Sequence, residues 1–150
     1  MQLLPNNIPK WVFILLFIVA SIGFADATFL SFEHYRNTIP PCLTSGCESV
    51  LTSVYSEIFG IPVALGGALF YLGFLIGLFL YFDFKKEWIL RSTLAFTSVG
   101  FLVSVWFVYV QAFLLKAFCQ YCMLSATTST ILFITSLFIF IKYRNKEIPV

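Results

Sequence analysis

Four cysteines are the residues of this 150-residue chain best suited to chemistry. They fall into two pairs: Cys42 and Cys47, five apart in a polar stretch, and Cys119 and Cys122, a CxxC within AFCQYCML. The thiolate is the reactive form of cysteine. A CxxC at a helix start sets both sulfurs on one face beside the positive end of the helix dipole, which favours that anion. Two such pairs suit thiol–disulfide exchange, in which one pair accepts electrons and passes them to the other through a mixed disulfide. Two other uses fit the same count. Four thiolates can hold zinc, since ligand pairs two to four residues apart recur in zinc sites, and paired cysteines can be structural staples. Against zinc, no His or carboxylate flanks Cys119 or Cys122. A staple has no need of a helix-start CxxC, and spans already held by lipid gain little from one.

The elements that must position these thiols are membrane helices. Apolar residues make up 60% of the chain, aromatic residues 19% and charged residues only 11%, a balance outside the range of soluble domains. A hydrocarbon core about 30 Å thick takes about 20 apolar residues per helix, and four stretches qualify: Trp11 to Leu30, Ile61 to Phe82, Ser92 to Phe113, and Cys119 to Ile141. Too little chain remains for a soluble domain, so residues 1–150 read as a single integral membrane domain. Basic residues in short loops stay on the cytoplasmic side. Lys10, Lys85, Lys86, Arg91, Lys142, Arg144 and Lys146 share one side, and only Arg36 and Lys116 lie opposite. Both termini are therefore predicted to be cytoplasmic and all four cysteines to face outward, where disulfides persist. The net charge of +2 reports topology and implies no nucleic acid. Ala25-Asp26-Ala27 has the small-x-small form of a signal-peptidase site, but apolar character resumes at Phe29 and Leu30, which favours a retained first span.

The outer loop, about residues 31–60, changes composition. Pro40 and Pro41 impose an extended approach to Cys42. From Glu48 to Phe59 a 3.6-residue period gathers Val50, Leu51, Val54 and Ile58 on one stripe, predicting an interfacial helix of about three turns that caps the bundle. Cys47, at its start, falls on the apolar stripe and is predicted to point into the bundle. His34, the only histidine, is read as a solvated interfacial residue. Asp26, Gln111 and the SATTST run from Ser125 to Thr130 are the remaining polar groups in or near the spans; an intramembrane ionisable group is a functional candidate, and the hydroxyl run is expected to bond its own helix or pack against a neighbour.

ADATFLSFEHY from Ala25, then IPPC, the second loop cysteine, VLTS ending in Ser53, FGIPVALGGALFYL and FCQYC together resemble the bacterial branch of the vitamin K epoxide reductase family, over about residues 11 to 142. The resemblance implies an all-α four-helix membrane bundle enclosing a quinone of ubiquinone or menaquinone type, in a bacterial cytoplasmic membrane. It also implies roles. Cys42 would exchange with a partner, Cys47 would relay to Cys119, Cys122 would lie nearest the quinone, and Ser53 would lie near its head group. Many bacterial relatives continue into a thioredoxin-like domain, whereas this sequence stops at Val150, so the expected donor is a separate extracytoplasmic thioredoxin-fold protein. Animal members carry two quinone-carbonyl donors, an asparagine and a tyrosine, where Val63 and Ala126 align here. The expected reaction is accordingly thiol oxidation with simple quinone reduction rather than epoxide reduction. The other four-span thiol oxidase, of the disulfide bond formation protein B type, carries its CxxC in the first outer loop; the order here is reversed. The alternative is a four-cysteine metal-binding or structural membrane protein without turnover.

Overall fold

The computed structural model describes residues 9–43 and 46–144, with side chains through 142. The side chains of Arg144 and Lys146, assigned above to the cytoplasmic side, lie outside the described residues. Four helices are long and apolar enough to cross a membrane: Lys10–Tyr35, Val63–Phe84, Glu87–Leu115 and Gln120–Lys142. In lipid every backbone polar group must be satisfied within the segment, and a continuous helix does so. We name them α1 (Lys10–Tyr35), α3 (Val63–Phe84), α4 (Glu87–Tyr109, continued by a π-helical stretch, Val110–Leu115) and α5 (Gln120–Arg144); a short helix α2 (Cys47–Leu51) lies in the outer loop. Prolines open α1 and α3: Pro9 and Pro62 precede the first helical residue in extended conformation, a position where the missing N–H costs nothing. Lys85 ends α3 in the left-handed region, and α4 begins two residues later.

Helix α1 packs against α3 and α5, and α4 against α5 and α3. Between helices in lipid the hydrophobic effect gives little, so close van der Waals packing over small residues takes its place. Glycines supply it here. Gly23 of α1 lies under the Tyr71 ring, Gly77 of α3 against the Thr93 side chain, and Gly100 of α4 against the Phe70 ring, and at each a Cβ would collide with the partner. Tyr71, only 1% exposed, reaches across from α3 to α5, where its hydroxyl donates to the Ser125 carbonyl at 2.8 Å and pairs with the Thr128 hydroxyl at 2.7 Å. The expected packing role of the SATTST run is realised through these contacts. Trp11 and Trp88, at the starts of α1 and α4, are exposed, as suits aromatic side chains at a membrane–water boundary.

The outer loop departs from the predicted three-turn helix. Helix α2 stops at Leu51, where the backbone tightens from four-residue to three-residue bonds: the Thr52 amide still reaches the Glu48 carbonyl at 3.0 Å, but the Ser53 amide bonds Val50 and the Ser56 amide bonds Ser53. The hydroxyls of Thr52, Ser53 and Ser56 donate to the same three carbonyls, and such local bonds support a turn as readily as a helix. The chain then turns through Phe59 and Gly60, with φ of 54° and 76°, and forms a minimal antiparallel hairpin of β1 (Glu57–Ile58) and β2 (Ile61–Pro62), with Glu57 opposite Pro62. Positive φ at both loop positions is the two-residue hairpin geometry. Val54 and Ile58, predicted on the apolar stripe, are consequently exposed, while Val50 and Cys47 are buried. The cap over the bundle is one short helix plus a hairpin.

Replacing Gly23 by Ala drives a methyl group into the Tyr71 ring, and overpacking of this kind costs about 1–3 kcal/mol. The thermal unfolding temperature in detergent is expected to fall for Gly23→Ala and to stay level for Gly66→Ala, where a Cβ meets nothing within 4 Å. Equal temperatures for the two variants would contradict the packing account.

Candidate redox site

The π-helical stretch at the end of α4 determines where the CxxC lies. It carries Gln111, 1% exposed, to the outer end of the span. The Gln111 side-chain Oε1 accepts the Cys119 amide at 2.9 Å and its backbone carbonyl accepts the Ala117 amide at 3.1 Å. One residue thus bridges the tight connection to α5, in which Lys116 takes the left-handed conformation at φ 50°. Wide turns of this type inside helices recur at functional sites. Cys119 then stands at the start of α5, its carbonyl accepting the Met123 amide at 3.0 Å, and Cys122 sits one turn further in. Neither is joined in a disulfide.

Above them the loop pair is joined as a Cys42–Cys47 disulfide. Cys47 opens α2 and is 1% exposed, pointing into the bundle as its place on the apolar stripe predicts; Cys42 is half-buried. Cys47, Val50 and Cys119 form a small buried cluster, with Cys42 and Cys122 packed against it. The fold therefore brings all four sequence-predicted cysteines together. Three features hold the loop on α5. Tyr121 donates its hydroxyl to the Pro41 carbonyl at 3.0 Å, Gln120 Oε1 accepts the Leu43 amide at 3.2 Å, and Gly46 meets the Phe118 backbone so closely that a Cβ would stand 2.7 Å from its carbonyl oxygen.

Below this cluster, among the outer halves of the spans, lies a cavity of about 720 Å³, within the size range of sites for small organic ligands. Cys122 is the one cysteine that lines it. Its walls are mostly apolar, with Phe70, Phe96 and Phe107 among them, and Ser53, Asp26, Tyr71, Gln111, Ser125 and Ser129 supply the polar points. Ser53 is half-buried and lines this space, the chain having already left the helix there. Val63 and Ala126 also line the cavity and offer no hydrogen bond. Gly66 adds room, since nothing stands within 4 Å of where its Cβ would be. A flat ring with an apolar tail fits such a wall. Two buried polar atoms among the lining residues, Asp26 Oδ2 and Ser129 Oγ, have no protein partner among the described residues, so the cavity keeps hydrogen-bonding capacity for a polar head. Its rim is tied by His34, whose Nε2 lies 3.0 Å from Glu57 Oε1. His34 is thus a part-exposed, bonded rim residue that lines the cavity. Among the described residues no group of three or more His, Cys, Asp or Glu side chains is arranged to hold a metal ion.

Tyr71 and the hairpin went unremarked in the sequence. Tyrosine in an apolar run carries no signal of a cross-helix bond; the Phe59-Gly60 dipeptide carries half of a turn signal, its glycine. A Gly46→Val substitution is expected to lift α2 from the Phe118 backbone. In a Cys42→Ser, Cys122→Ser background, formation of a Cys47–Cys119 mixed disulfide should then fall sharply on non-reducing gels, whereas undiminished cross-linking would show that the Gly46 contact does not set the register of the two pairs.

The family comparison agrees with this geometry. A model of the vitamin K epoxide reductase family matches residues 14–137, a stretch that includes both cysteine pairs and most of every span. No curated protein matches the chain significantly. Four spanning helices, two converging cysteine pairs and a cavity that one cysteine lines are the setting for quinone-linked thiol oxidoreduction, and the chain belongs to the vitamin K epoxide reductase family.

Proposed function

We propose that the protein is a quinone-dependent thiol oxidase that reoxidises a separate thioredoxin-fold protein outside the cytoplasm and so supports disulfide formation. The observation that carries this reading is the division of labour among the thiols. Cys47 and Cys119 pack together, Cys42 is the half-buried member on the loop side, and Cys122 alone lines the cavity. A thiolate of the donor attacks Cys42 of the loop disulfide, and a second donor thiol resolves the mixed disulfide, leaving Cys42 and Cys47 reduced. Cys47 then attacks Cys119 of an oxidised CxxC, and Cys42 closes the loop disulfide again, so the electron pair rests on Cys119 and Cys122. A quinone of ubiquinone or menaquinone type, when bound, supplies a two-electron acceptor for the CxxC thiols. Ser53 lines the cavity and its hydroxyl donates to the Val50 carbonyl, so it offers an acceptor to a quinol hydroxyl and would have to release Val50 to donate to a quinone carbonyl. Val63 and Ala126 cannot donate to a quinone carbonyl, which favours simple quinone reduction over epoxide chemistry.

Topology supports the same reading. Lys10, the Lys85–Lys86 connection and Lys142 gather at one end of the bundle and Arg36 and Lys116 at the other, an asymmetry that keeps both termini cytoplasmic and the cysteines outside, in a bacterial cytoplasmic membrane.

The test is anaerobic. Detergent-purified protein is mixed with a reduced thioredoxin-fold donor and a soluble quinone, and quinone absorbance is followed. The native protein is expected to consume quinone and Cys122→Ser to fall to background. Cys42→Ser should lose activity with the protein donor, because Cys47 and Cys119 are buried beneath the loop and Cys42 is the half-buried member. No quinone loss by the native protein, with stoichiometric zinc by elemental analysis, would replace this reading with a metal-binding one.

A further inference from the structure

Asp26 is the acidic group that the relay leaves unused. It sits on α1 nine residues before Tyr35, about 13 Å below the outer end of the helix at 1.5 Å per residue. It is 8% exposed, lines the cavity together with Cys122, and its Oδ2 has no protein partner among the described residues. A buried carboxyl oxygen without a partner is costly in a membrane span and is retained where it does something. Its surroundings show what that is. The titratable groups within electrostatic reach are Tyr71 of α3 and Cys119 and Cys122 of α5; on its own helix His34, two turns outward, lines the same cavity and bonds to Glu57 at the rim. Neither Lys nor Arg lines the cavity. Tyr71 already donates its proton to α5 and His34 is tied to Glu57 at the rim, which leaves Asp26 as the acid beside Cys122 in the cavity that can both give and take one.

We propose that Asp26 is the proton carrier between the Cys122 thiol and the electron acceptor in the cavity. The inference rests on the thiol:quinone reading above. In one turnover two S–H bonds break, the Cys119–Cys122 S–S bond forms, and two electrons and two protons pass to a quinone, which becomes the quinol. Asp26 gives one proton toward the acceptor and regains one from Cys122 as the disulfide closes, and a second give-and-take through the same carboxyl carries the Cys119 proton to the other quinone oxygen, so the carboxyl ends the cycle as it began. No outside proton is consumed.

Two measurements decide it. The first needs no quinone. The chain has two aspartates, Asp26 and Asp83, and Asp83 is exposed at the far end of α3, so aspartate carrying ¹³C in its side-chain carboxyl isolates the buried carboxyl by infrared difference spectroscopy. Chemical oxidation of the CxxC in the native protein is expected to shift the carbonyl band of a protonated aspartic acid, and the shift is absent in Asp26→Asn. The second is turnover. Asp26→Asn is expected to slow quinone reduction about a hundredfold, the usual scale of a lost proton-transfer group, while reduction of the Cys42–Cys47 disulfide by dithiothreitol keeps its native rate. Asp26→Glu, which restores a carboxyl, recovers most of the loss. An unchanged aspartate band on oxidation, or native turnover in Asp26→Asn, overturns the proposal. Absence of turnover in the native protein itself would instead overturn the thiol:quinone reading, and the infrared result, taken on native protein, stands even where the asparagine variant does not fold.

Discussion

A single hydrogen bond, from the Cys119 amide to the side-chain oxygen of Gln111, fixes where the last span begins, and the arrangement of the thiols follows from it. At a helix start several amides have no partner within the helix, and burying them in a membrane protein is costly. Gln111 answers for one of them and, through its own carbonyl, for Ala117. The π-helical stretch is what points it there. With Cys119 held at that level, helical geometry puts Cys122 one turn deeper, so one sulfur packs under the loop and the other lines the cavity. The proposed electron transfer from a protein outside to an acceptor in lipid would require this division, because neither can reach the other's compartment.

The bundle below must be rigid around an opening. Glycines let α1, α3 and α4 approach one another at Gly23, Gly77 and Gly100, and Tyr71 spans from α3 to α5 by hydroxyl bonds. Near the outer end, Gly66 instead leaves space. The same residue type therefore closes the packing at one level and opens the cavity at another. The loop seals the top: α2 through Cys47 and Val50, and the hairpin through Glu57 bonded to His34. Each is anchored to a different span, and together they separate the thiols from water without enclosing Cys42.

Much of this was legible in the sequence because membrane helices obey a simple length and composition rule, and four apolar runs bracketed by basic residues satisfy it. The four cysteines stood out for their spacing, and Cys47 for its place on an apolar stripe. The end of α2 did not, since Val54 and Ile58 continue a helical period although the backbone leaves the helix at Ser53, whose amide bonds Val50 three residues back. Periodicity records where apolar side chains recur and is blind to that change of backbone bonding. Tyr71 was invisible for a related reason, as a hydroxyl among apolar residues shows its partner only after α3 and α5 are packed. Gln111 and Asp26 were visible as polar residues in apolar surroundings, but only the fold separates their parts: one has its hydrogen bonds filled, the other has an oxygen left over.

In the proposed cycle electrons arrive through the loop pair and leave through the cavity-facing pair. The most direct measurement is a single turnover: fully reduced protein, freed of reductant under anaerobic conditions, is given one equivalent of soluble quinone and quenched at short times with an alkylating probe, and the disulfides are mapped by mass spectrometry. The account predicts a Cys119–Cys122 disulfide at the earliest times, with Cys42–Cys47 oxidised only later at its expense. A loop disulfide that appears first, or thiols that stay reduced while quinone is consumed, would contradict it.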